Sequence, residues 1–299
     1  MDVSNSVIEN AIKNLIDAGV DINDARIEVS DFLDSSTSKE DFDNKIARRL
    51  GGEPAAYIIG SKPFYKSEFV VMPGVLIPRS DTELLVEAGL KFLRCLSFPM
   101  GDVVDVPETR ISHNFDGIHM LDLCTGSGCI GISIHKELLA DNRNVRTTLV
   151  DISDNAITCA KRNSEGINNI DVINCDVLDD KLLLESFECA SQDIVVSNPP
   201  YIDSKDMEEL EIQVKFFEPH LALYGGEDGL MFYEIICKHA MKLLKNGGAL
   251  MVEHGYNQGE SVSSIFVKEG FTNVMTLKDY GGNDRVTLGI KSEVDGNAF

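Results

Sequence analysis

From residue 119 onward, short apolar segments alternate with amphipathic segments of helical period, and this alternation constrains the fold more than any other feature. It requires a mostly parallel sheet with helices on both faces. Too few residues join the last two strands for a crossover helix, so we expect them to pair antiparallel. The predicted strands are 120–124, 147–152, 170–175, 193–197, 249–253, 273–277 and 285–290. The predicted helices are 129–139, 154–163, 230–244 and 260–269.

The beginning of the chain shows helical periodicity and no predicted strand. Apolar residues recur at intervals of three and four between positions 7 and 16, which places them on one helix face. Two further helices are predicted over 22–33 and 39–50. A small structural cap and a docking platform for a macromolecular substrate are both consistent with this unit. The segment 97–114, which has mixed charge and no periodicity, is expected to be a surface loop.

A linker is predicted between the helical unit and the rest of the chain. Residues 64–77 alternate in polarity and contain Pro73-Gly74, which indicates a β-hairpin that turns at this dipeptide. Ser80 and Glu83 form a capping box, so a helix is expected to begin there. We therefore divide the chain into a helical domain at 1–62 that docks the substrate, a hairpin linker at 63–78 and a third domain at 79–299.

The composition excludes several classes of protein. Asp and Glu number 49 against 27 Lys and Arg, which gives a formal charge of −22 and argues against direct binding of nucleic acid through its phosphates. No apolar run is long enough for a membrane span, and the N-terminus carries Asp2 and Glu9 instead of the basic residues of a targeting segment. The seven cysteines form no CxxC pair, so we expect reduced thiols, no metal site and a cytoplasmic location.

A glycine-rich loop follows the first predicted strand of the sheet. Gly126, Gly128 and Gly131 have the GxGxxG spacing, and Asp151 ends the next strand, where an acid binds ribose hydroxyls. Glycines at this place let the backbone approach a ligand at a helix N-terminus. A nicotinamide-dependent oxidoreductase is one interpretation. Against it, Asp122 precedes the glycines, where a pyrophosphate would meet its negative charge, so a ligand with a cationic part fits better.

The sequence Asn198-Pro199-Pro200-Tyr201 follows the fourth strand of the sheet. The prolines fix the backbone, so the Asn198 side chain and the Pro199 carbonyl present two acceptors to a planar NH₂ group. Tyr201 offers a ring face to that plane. This arrangement suits a substrate amide or exocyclic amine, because catalysis then requires alignment with an electrophilic carbon and acceptance of the N–H hydrogens.

These motifs resemble those of class I S-adenosylmethionine-dependent methyltransferases that modify planar nitrogens. The motifs are LDLCTGSG at 121–128, Asp151, CDV at 175–177 and NPPY at 198–201. Other segments resemble the HemK/PrmC family of release factor glutamine methyltransferases in particular: EPAAYIIG at 53–60, LIPRSDTELLVE at 76–87, EHGYNQGE at 253–260 and DYGGNDRVTLG at 279–289. The resemblance implies a Rossmann-like, mostly parallel seven-stranded sheet with an antiparallel last strand.

The resemblance also implies site residues and a cofactor, S-adenosyl-L-methionine. The residues expected to bind the cofactor are Asp122, Leu123, Cys124, Thr125, Gly126, Gly128, Asp151, Asp176, Val177 and Asn198. The residues expected at the reaction centre are Asn198, Pro199, Pro200 and Tyr201. Asp122 would balance the cofactor's ammonium group, Asp151 would accept the ribose hydroxyls, and Asp176 and Val177 would flank the adenine. The family often has an aromatic residue in place of Val177, so stacking on the adenine is expected to be weaker or to come from another residue.

The implied activity is methylation of the glutamine side chain in the Gly-Gly-Gln motif of a peptide-chain release factor. An adenine or guanine amino-methyltransferase acting on nucleic acid would use the same NPPY geometry, but the acidic charge of the chain weighs against it. A non-catalytic adaptor conflicts with the intact motifs. His254 is interpreted as structural rather than as a base. Arg79 either meets the cofactor's carboxylate or anchors the linker.

Overall fold

The computed structural model describes residues 3–94 and 117–292. The predicted loop 97–114 lies outside these ranges. The N-terminal part is helical, as predicted, and its helices are α1 (Asn5–Asp17), α2 (Ile22–Ser35), α3 (Lys39–Leu50) and α4 (Ala55–Ile59). The side chain of Ser38 accepts a hydrogen bond from the Asp41 amide at the start of α3. Leu15, Phe32 and Phe42 are fully buried between the first three helices, where apolar burial stabilises the bundle.

A short antiparallel hairpin follows, with strands β1 (Ser61–Phe64) and β2 (Ser67–Val70). The hairpin turns at Tyr65 and Lys66, so the prediction that Pro73-Gly74 joins its two strands was wrong. Pro73 and Gly74 instead form a second turn after β2. Gly74 adopts a φ of 86° there and packs against the side chain of Asn155, where a Cβ would not fit.

The predicted capping box is also absent. A 3-10 helix spans Ser80–Thr82, and the α-helix that follows, α5 (Glu83–Leu93), has no side-chain cap at its N-terminus. The carboxylate of Glu83 accepts a hydrogen bond from the backbone amide of Tyr65 at 2.9 Å. Because this tertiary contact satisfies a backbone donor of the hairpin turn, it replaces the local contact with Ser80 that the sequence suggested.

A seven-stranded sheet forms the larger part of the molecule. Its strands are β3 (Ile118–Leu123), β4 (Val145–Asp151), β5 (Ile170–Asn174), β6 (Gln192–Ser197), β7 (Leu244–Glu253), β8 (Phe271–Lys278) and β9 (Asp284–Lys291). They lie in the order β5-β4-β3-β6-β7-β9-β8, and β9 runs antiparallel to both of its neighbours. The predicted fold class and the antiparallel pairing of the last two strands are therefore confirmed.

Helices cover both faces of this sheet. Those that pack against its strands include α5, α6 (Cys129–Ala140), α7 (Asp154–Asn163), α11 (Met231–Leu243) and α12 (Gly259–Lys268). The remaining helices of this part are α8 (Asp180–Ser186), α9 (Asp206–Glu209), α10 (Ile212–Phe217) and a 3-10 helix at His220–Ala222. The sequence analysis did not predict α4 or α8 to α10. Within residues 3–94 and 117–292, none of the helices combines the length and apolar character needed to cross a bilayer.

The parallel register of the central strands brings their carboxyl ends to one edge of the sheet. Leu123 in β3 pairs with Val150 in β4 and with Ser197 in β6, and Ser197 pairs with Val252 in β7. The loops after these strands therefore converge, as predicted, at the edge where ligands bind in open α/β sheets.

Asn163, the last residue of α7, connects the hairpin to this edge. Its Oδ1 accepts from the Val70 amide at 2.7 Å, and its Nδ2 donates to the carbonyls of Val70 at 3.0 Å and Ser127 at 2.8 Å. One side chain thus completes the backbone hydrogen bonding of β2 and of the glycine-rich loop.

We expect Asn163→Ala to lower the free energy of unfolding by about 2–3 kcal/mol, because it leaves part-buried backbone groups of the hairpin and the loop without partners. Equilibrium urea unfolding of the full chain measures this change. Asn44→Ala, which removes an exposed asparagine from α3, is the matched control and should change stability by less than about 0.5 kcal/mol. Equal stability of Asn163→Ala and the control would contradict the connecting role of Asn163.

Candidate active site

A cavity of about 240 Å³ opens at the carboxyl edge of the sheet. Its walls come from the glycine-rich loop, the ends of β4 and β5, the loop after β6 and the segment between β2 and α5. The sequence-predicted residues that line it are Cys124, Thr125, Gly126, Asp151, Asp176, Val177, Asn198 and Pro200. The structure therefore brings together residues from four separate loops that were predicted to converge.

The glycine-rich loop owes its shape to left-handed backbone conformations. Cys124, Gly126 and Gly128 have φ values of 57°, 57° and 82°. Gly128 also lies so close to Ile132 that an added Cβ would come within 2.7 Å of its Cδ1. Gly128 begins α6 and does not line the cavity, so its role is to turn the chain from the loop into the helix.

Asp122 lies beneath this loop and does not line the cavity. It is fully buried, and its Oδ2 accepts from the Thr125 hydroxyl at 2.7 Å and from the Gly131 amide at 2.9 Å. Its Oδ1 has no hydrogen-bond partner among the described residues. Burial raises the pKa of Asp122 to about 7, against the opposing effect of these two donors. Asp122 thus holds the loop from below; its predicted contact with a cofactor ammonium stays a prediction.

Two acidic side chains do face the cavity. Asp151 ends β4, and its carboxylate accepts from the amides of Gly126 and Ser153, both at 2.9 Å. Burial raises its pKa, although these amide donors favour the charged form. Asp176 lies after β5 and accepts from the Leu178 amide at 2.8 Å. Because a carboxylate has about four lone-pair sites, both acids retain acceptors for the hydroxyl or amino groups of a ligand.

The Asn-Pro-Pro-Tyr loop contributes two of its four residues to the cavity wall. Asn198 and Pro200 line the cavity, whereas Pro199 is buried beside them. The Nδ2 of Asn198 donates to the hydroxyl of Thr82 at 3.3 Å. This bond leaves Oδ1 of Asn198 as the acceptor available to a ligand.

Tyr201 lies outside the cavity wall, although the sequence suggested that its ring faces the ligand. Its hydroxyl donates to Oε1 of Glu253 at 3.4 Å, and its carbonyl accepts from Nε2 of Gln258 at 3.0 Å. Burial raises the pKa of the phenol. Leu123, another predicted residue, also lies behind the wall, where its carbonyl accepts from the Ser197 hydroxyl at 2.7 Å. The role of both residues at the reaction centre or cofactor stays a prediction.

The structure assigns partners to the two residues whose roles were open. Arg79 lines the cavity and forms an ion pair with Glu218, which also accepts from the Ile77 amide. His254 is buried, and its Nδ1 lies 2.9 Å from the carbonyl of Gly255, to which it must donate. Its Nε2 then accepts from Thr287 at 2.9 Å. Burial lowers the pKa of the ring, and His254 does not line the cavity, which agrees with a structural role.

Sequence reasoning missed two polar residues at this edge of the sheet. Thr82 lines the cavity beside Asn198, and Glu253 lies directly behind them at the end of β7. The sequence predicts only a helix start at Thr82 and the end of an apolar strand at Glu253. The sequence signal for Glu253 was an acidic residue at the end of an apolar parallel strand, because such strand ends converge on the ligand site.

The burial of Asp122 makes stability depend on pH. An exposed aspartate has a pKa of about 4, so between about pH 4 and pH 7 the unfolded chain loses this proton while the folded chain keeps it, and stability falls as pH rises. Between about pH 5.5 and pH 8, we expect the wild type to lose about 2 kcal/mol more of its free energy of unfolding than Asp122→Asn, whose side chain does not titrate.

Urea unfolding at several pH values measures this decline. Asp171→Asn, which removes an exposed carboxylate from β5, is the matched control and should follow the wild type. The explanation fails if Asp122→Asn shows the same pH dependence as the wild type.

Comparisons with known proteins agree with this geometry. A family model described as a methyltransferase domain matches residues 114–284, more than half of the chain. A release factor glutamine methyltransferase from Aliivibrio fischeri is 39% identical over 250 residues, which cover 83% of this chain and 78% of the relative. A bifunctional methyltransferase from Rickettsia felis is 37% identical over 260 residues, which cover 83% of this chain and 47% of the relative. The chain thus spans about half the length of the bifunctional relatives it matches.

Among solved structures, the crystal structure of a release factor-specific protein-(glutamine-N5) methyltransferase from Alicyclobacillus acidocaldarius is similar, with 28% identity, a TM-score of 0.40 and coverage of 75% of this chain and 100% of that chain. The family resemblance and the Rossmann-like methyltransferase fold expected from the sequence are both confirmed by the sequence relatives and the sheet topology. By its similarity over most of its length, the chain belongs to the family of release factor glutamine methyltransferases.

Proposed function

We propose that the protein transfers a methyl group from S-adenosyl-L-methionine to the side-chain amide nitrogen of the glutamine in the Gly-Gly-Gln motif of a peptide-chain release factor. One observation carries the proposal: Asn198 of the NPPY motif lines the same cavity as Asp151 and Asp176. An acceptor for a planar amide therefore lies next to acceptors for a nucleoside.

The residues of the cavity fit this cofactor. Asp151 has acceptor capacity for ribose hydroxyls, and the apolar side chains of Ile152, Val177 and Leu178 line the wall beside Asp176. Once the pH exceeds its pKa of about 7, the buried Asp122 adds negative potential beneath the loop, which favours a cationic group in the cavity. The same carboxylates disfavour the pyrophosphate of a nicotinamide dinucleotide.

The proposed reaction relies mainly on alignment. The cofactor, when bound, supplies a methyl carbon on a positively charged sulfur, which leaves with the electron pair of the broken carbon–sulfur bond. Oδ1 of Asn198 accepts an N–H hydrogen of the substrate amide and thereby directs the nitrogen toward that carbon. The new carbon–nitrogen bond leaves a positive charge on the amide nitrogen, which then releases one proton to water. His254 does not serve as the base, because it does not line the cavity.

We also propose that the helical domain at residues 1–62 helps to bind the protein substrate. The hydroxyl of Tyr57 in α4 donates to the carbonyl of Val75 at 2.6 Å, and Val75 lines the cavity. The N-terminal helices therefore abut the segment that forms one wall of the site. This contact supports the docking role; the domain boundaries at 1–62, 63–78 and 79–299 remain part of the proposal.

Mass spectrometry of a release factor incubated with the full chain and S-adenosylmethionine tests the proposal. We expect the mass of one methylene group to be added at the Gly-Gly-Gln glutamine and to be absent from a Gln→Glu variant of the substrate. Duplex DNA is the parallel substrate for the alternative amino-methyltransferase activity. Methylation of the DNA alone, or of the Gln→Glu factor to the same extent, would overturn the proposal.

Two substitutions should separate transfer from cofactor binding. Asn198→Ala should lower kcat by about 100-fold or more and leave the cofactor Kd within about threefold, because it removes the acceptor that aligns the amide. Asp151→Ala should weaken cofactor binding by about 10- to 100-fold, because it removes charged hydrogen-bond acceptors. Isothermal titration calorimetry with S-adenosylmethionine measures the affinities. Equal loss of binding in both variants contradicts this division of roles.

A further inference from the structure

The Asn-Pro-Pro-Tyr loop depends on neighbouring elements for its position. Pro199 and Pro200 lack a backbone N–H, so the loop has fewer hydrogen-bond donors of its own than an ordinary loop. The proline rings also restrict φ, which makes the segment from Asn198 to Tyr201 stiff. A contact that anchors Tyr201 therefore restrains Asn198 as well, the residue proposed to align the substrate amide.

Gln258 provides such an anchor. Its Nε2 donates to the carbonyl of Tyr201 at 3.0 Å and to that of Gly229 at 3.4 Å, and its Oε1 accepts from the Gly255 amide at 2.9 Å. With two acceptors at one end of the side-chain amide and a donor at the other, the amide has one orientation that satisfies all three groups. Gln258 thus joins the loops after β6 and β7 to the segment before α11.

The backbone of Gln258 is itself held at the start of α12. Its amide donates to the carbonyl of Gly255 at 2.9 Å, and its carbonyl accepts from the Val262 amide at 2.9 Å in the first turn of the helix. The side chain therefore extends from a fixed point, and its hydrogen bonds hold the Tyr201 carbonyl instead of following it.

Two glycines approach the same loop closely. Gly229 has a φ of 72°, and an added Cβ would lie 2.3 Å from the Tyr201 oxygen and 2.5 Å from Nε2 of Gln258. A Cβ at Gly225 would lie 2.7 Å from the Pro200 oxygen. Because these distances are too short for a carbon atom, the loop can keep its position only while both residues are glycine.

We propose that Gln258 and Gly229 are positioning residues: they hold the Tyr201 carbonyl and, through the two prolines, keep Oδ1 of Asn198 directed at the substrate nitrogen. This inference deepens the proposed function and rests on it. It gives a role to the EHGYNQGE segment at 253–260, which includes Gln258. Within the part of the chain that the structure describes, neither Gln258 nor Gly229 lines the cavity, so both act through the loop.

Nuclear magnetic resonance of the Asn198 side-chain amide in the full chain tests the inference without any substrate. Its signals are identified by their absence in Asn198→Ser, and they report on the bond from Nδ2 to Thr82. We expect them to shift in Gln258→Met, which removes the donor to Tyr201. Gln258→Glu keeps the acceptor for the Gly255 amide and loses only the donor, so it should shift them as well. Signals that stay unchanged in both variants would overturn the inference.

Gly229→Ala makes the same test from the other side of the contact. Gly166→Ala is its matched control, because Gly166 has a φ of 76° but no atom within 4 Å of an added Cβ. The control carries the same backbone strain without the contact to Tyr201. We expect the Asn198 signals to shift in Gly229→Ala and to stay in place in Gly166→Ala. Equal shifts in the two variants would contradict the inference.

Kinetics then separate positioning from stability. We expect Gln258→Met and Gly229→Ala to lower kcat by about 10- to 100-fold, with the KM for the release factor and the cofactor Kd within about threefold. Gly166→Ala should keep kcat within about twofold of the wild type. Variants that unfold more easily but retain kcat well below their unfolding temperature would show a purely structural role and overturn the inference.

The two proposals fail separately. If the wild type methylates no release factor, the proposed function is refuted. The Asn198 signals require no substrate, so they would still decide whether Gln258 and Gly229 hold Asn198 in place.

Discussion

The free-energy cost of desolvating carboxylates at one edge of the sheet is the constraint on which the rest of this site depends. Asp122 and Asp151 lie at or near the ends of the adjacent parallel strands β3 and β4, and Glu253 ends β7, which is separated from β3 by β6 alone, so the same edge of the sheet holds all three in a region of low dielectric. Each needs donors to remain there. Asp122 takes them from the glycine-rich loop and α6, Asp151 from the loops after β3 and β4, and Glu253 from Tyr201 in the loop after β6.

Because the loops donate these hydrogen bonds, the conformation of each loop depends on the position of the acid that accepts from it. The glycine-rich loop, for example, bonds through Thr125 to Asp122 below it and through Gly126 to Asp151 beside it. Apolar packing supplies the desolvation: the middle strand β6 is buried along its whole length, with hydrophobic clusters on both faces of the sheet. In such surroundings hydrogen bonds to charged groups are stronger than in water, so the loops are held firmly enough to align two reactants.

Local signals predicted much of the fold, and tertiary contacts decided the rest. The sequence predicted α3 and α7 with their observed ends, since each has a serine cap, Ser38 or Ser153, within the same few residues. The hairpin turns at Tyr65 and Lys66 and not at Pro73-Gly74. A helix begins at Ser80 as predicted, but its capping box is absent because Glu83 bonds to the Tyr65 amide instead of to its own helix start. No pattern within a short window of sequence records a contact of this kind.

The sequence predicted that these loops converge, but it did not predict which of their residues line the cavity. Motif spacing identifies Asp122 and Tyr201 but not the direction in which their side chains point. The orientation of Asp122 depends on its bonds with Thr125 and Gly131, and that of Tyr201 on its bond with Glu253. An acid that is buried beneath a loop shapes that loop, whereas one that lines the cavity and keeps lone pairs toward it is available to a ligand. Asp122 and Asp151 differ in this respect although both close a strand of the same sheet, so burial and hydrogen-bond partners, not motif position, separate supporting residues from binding ones.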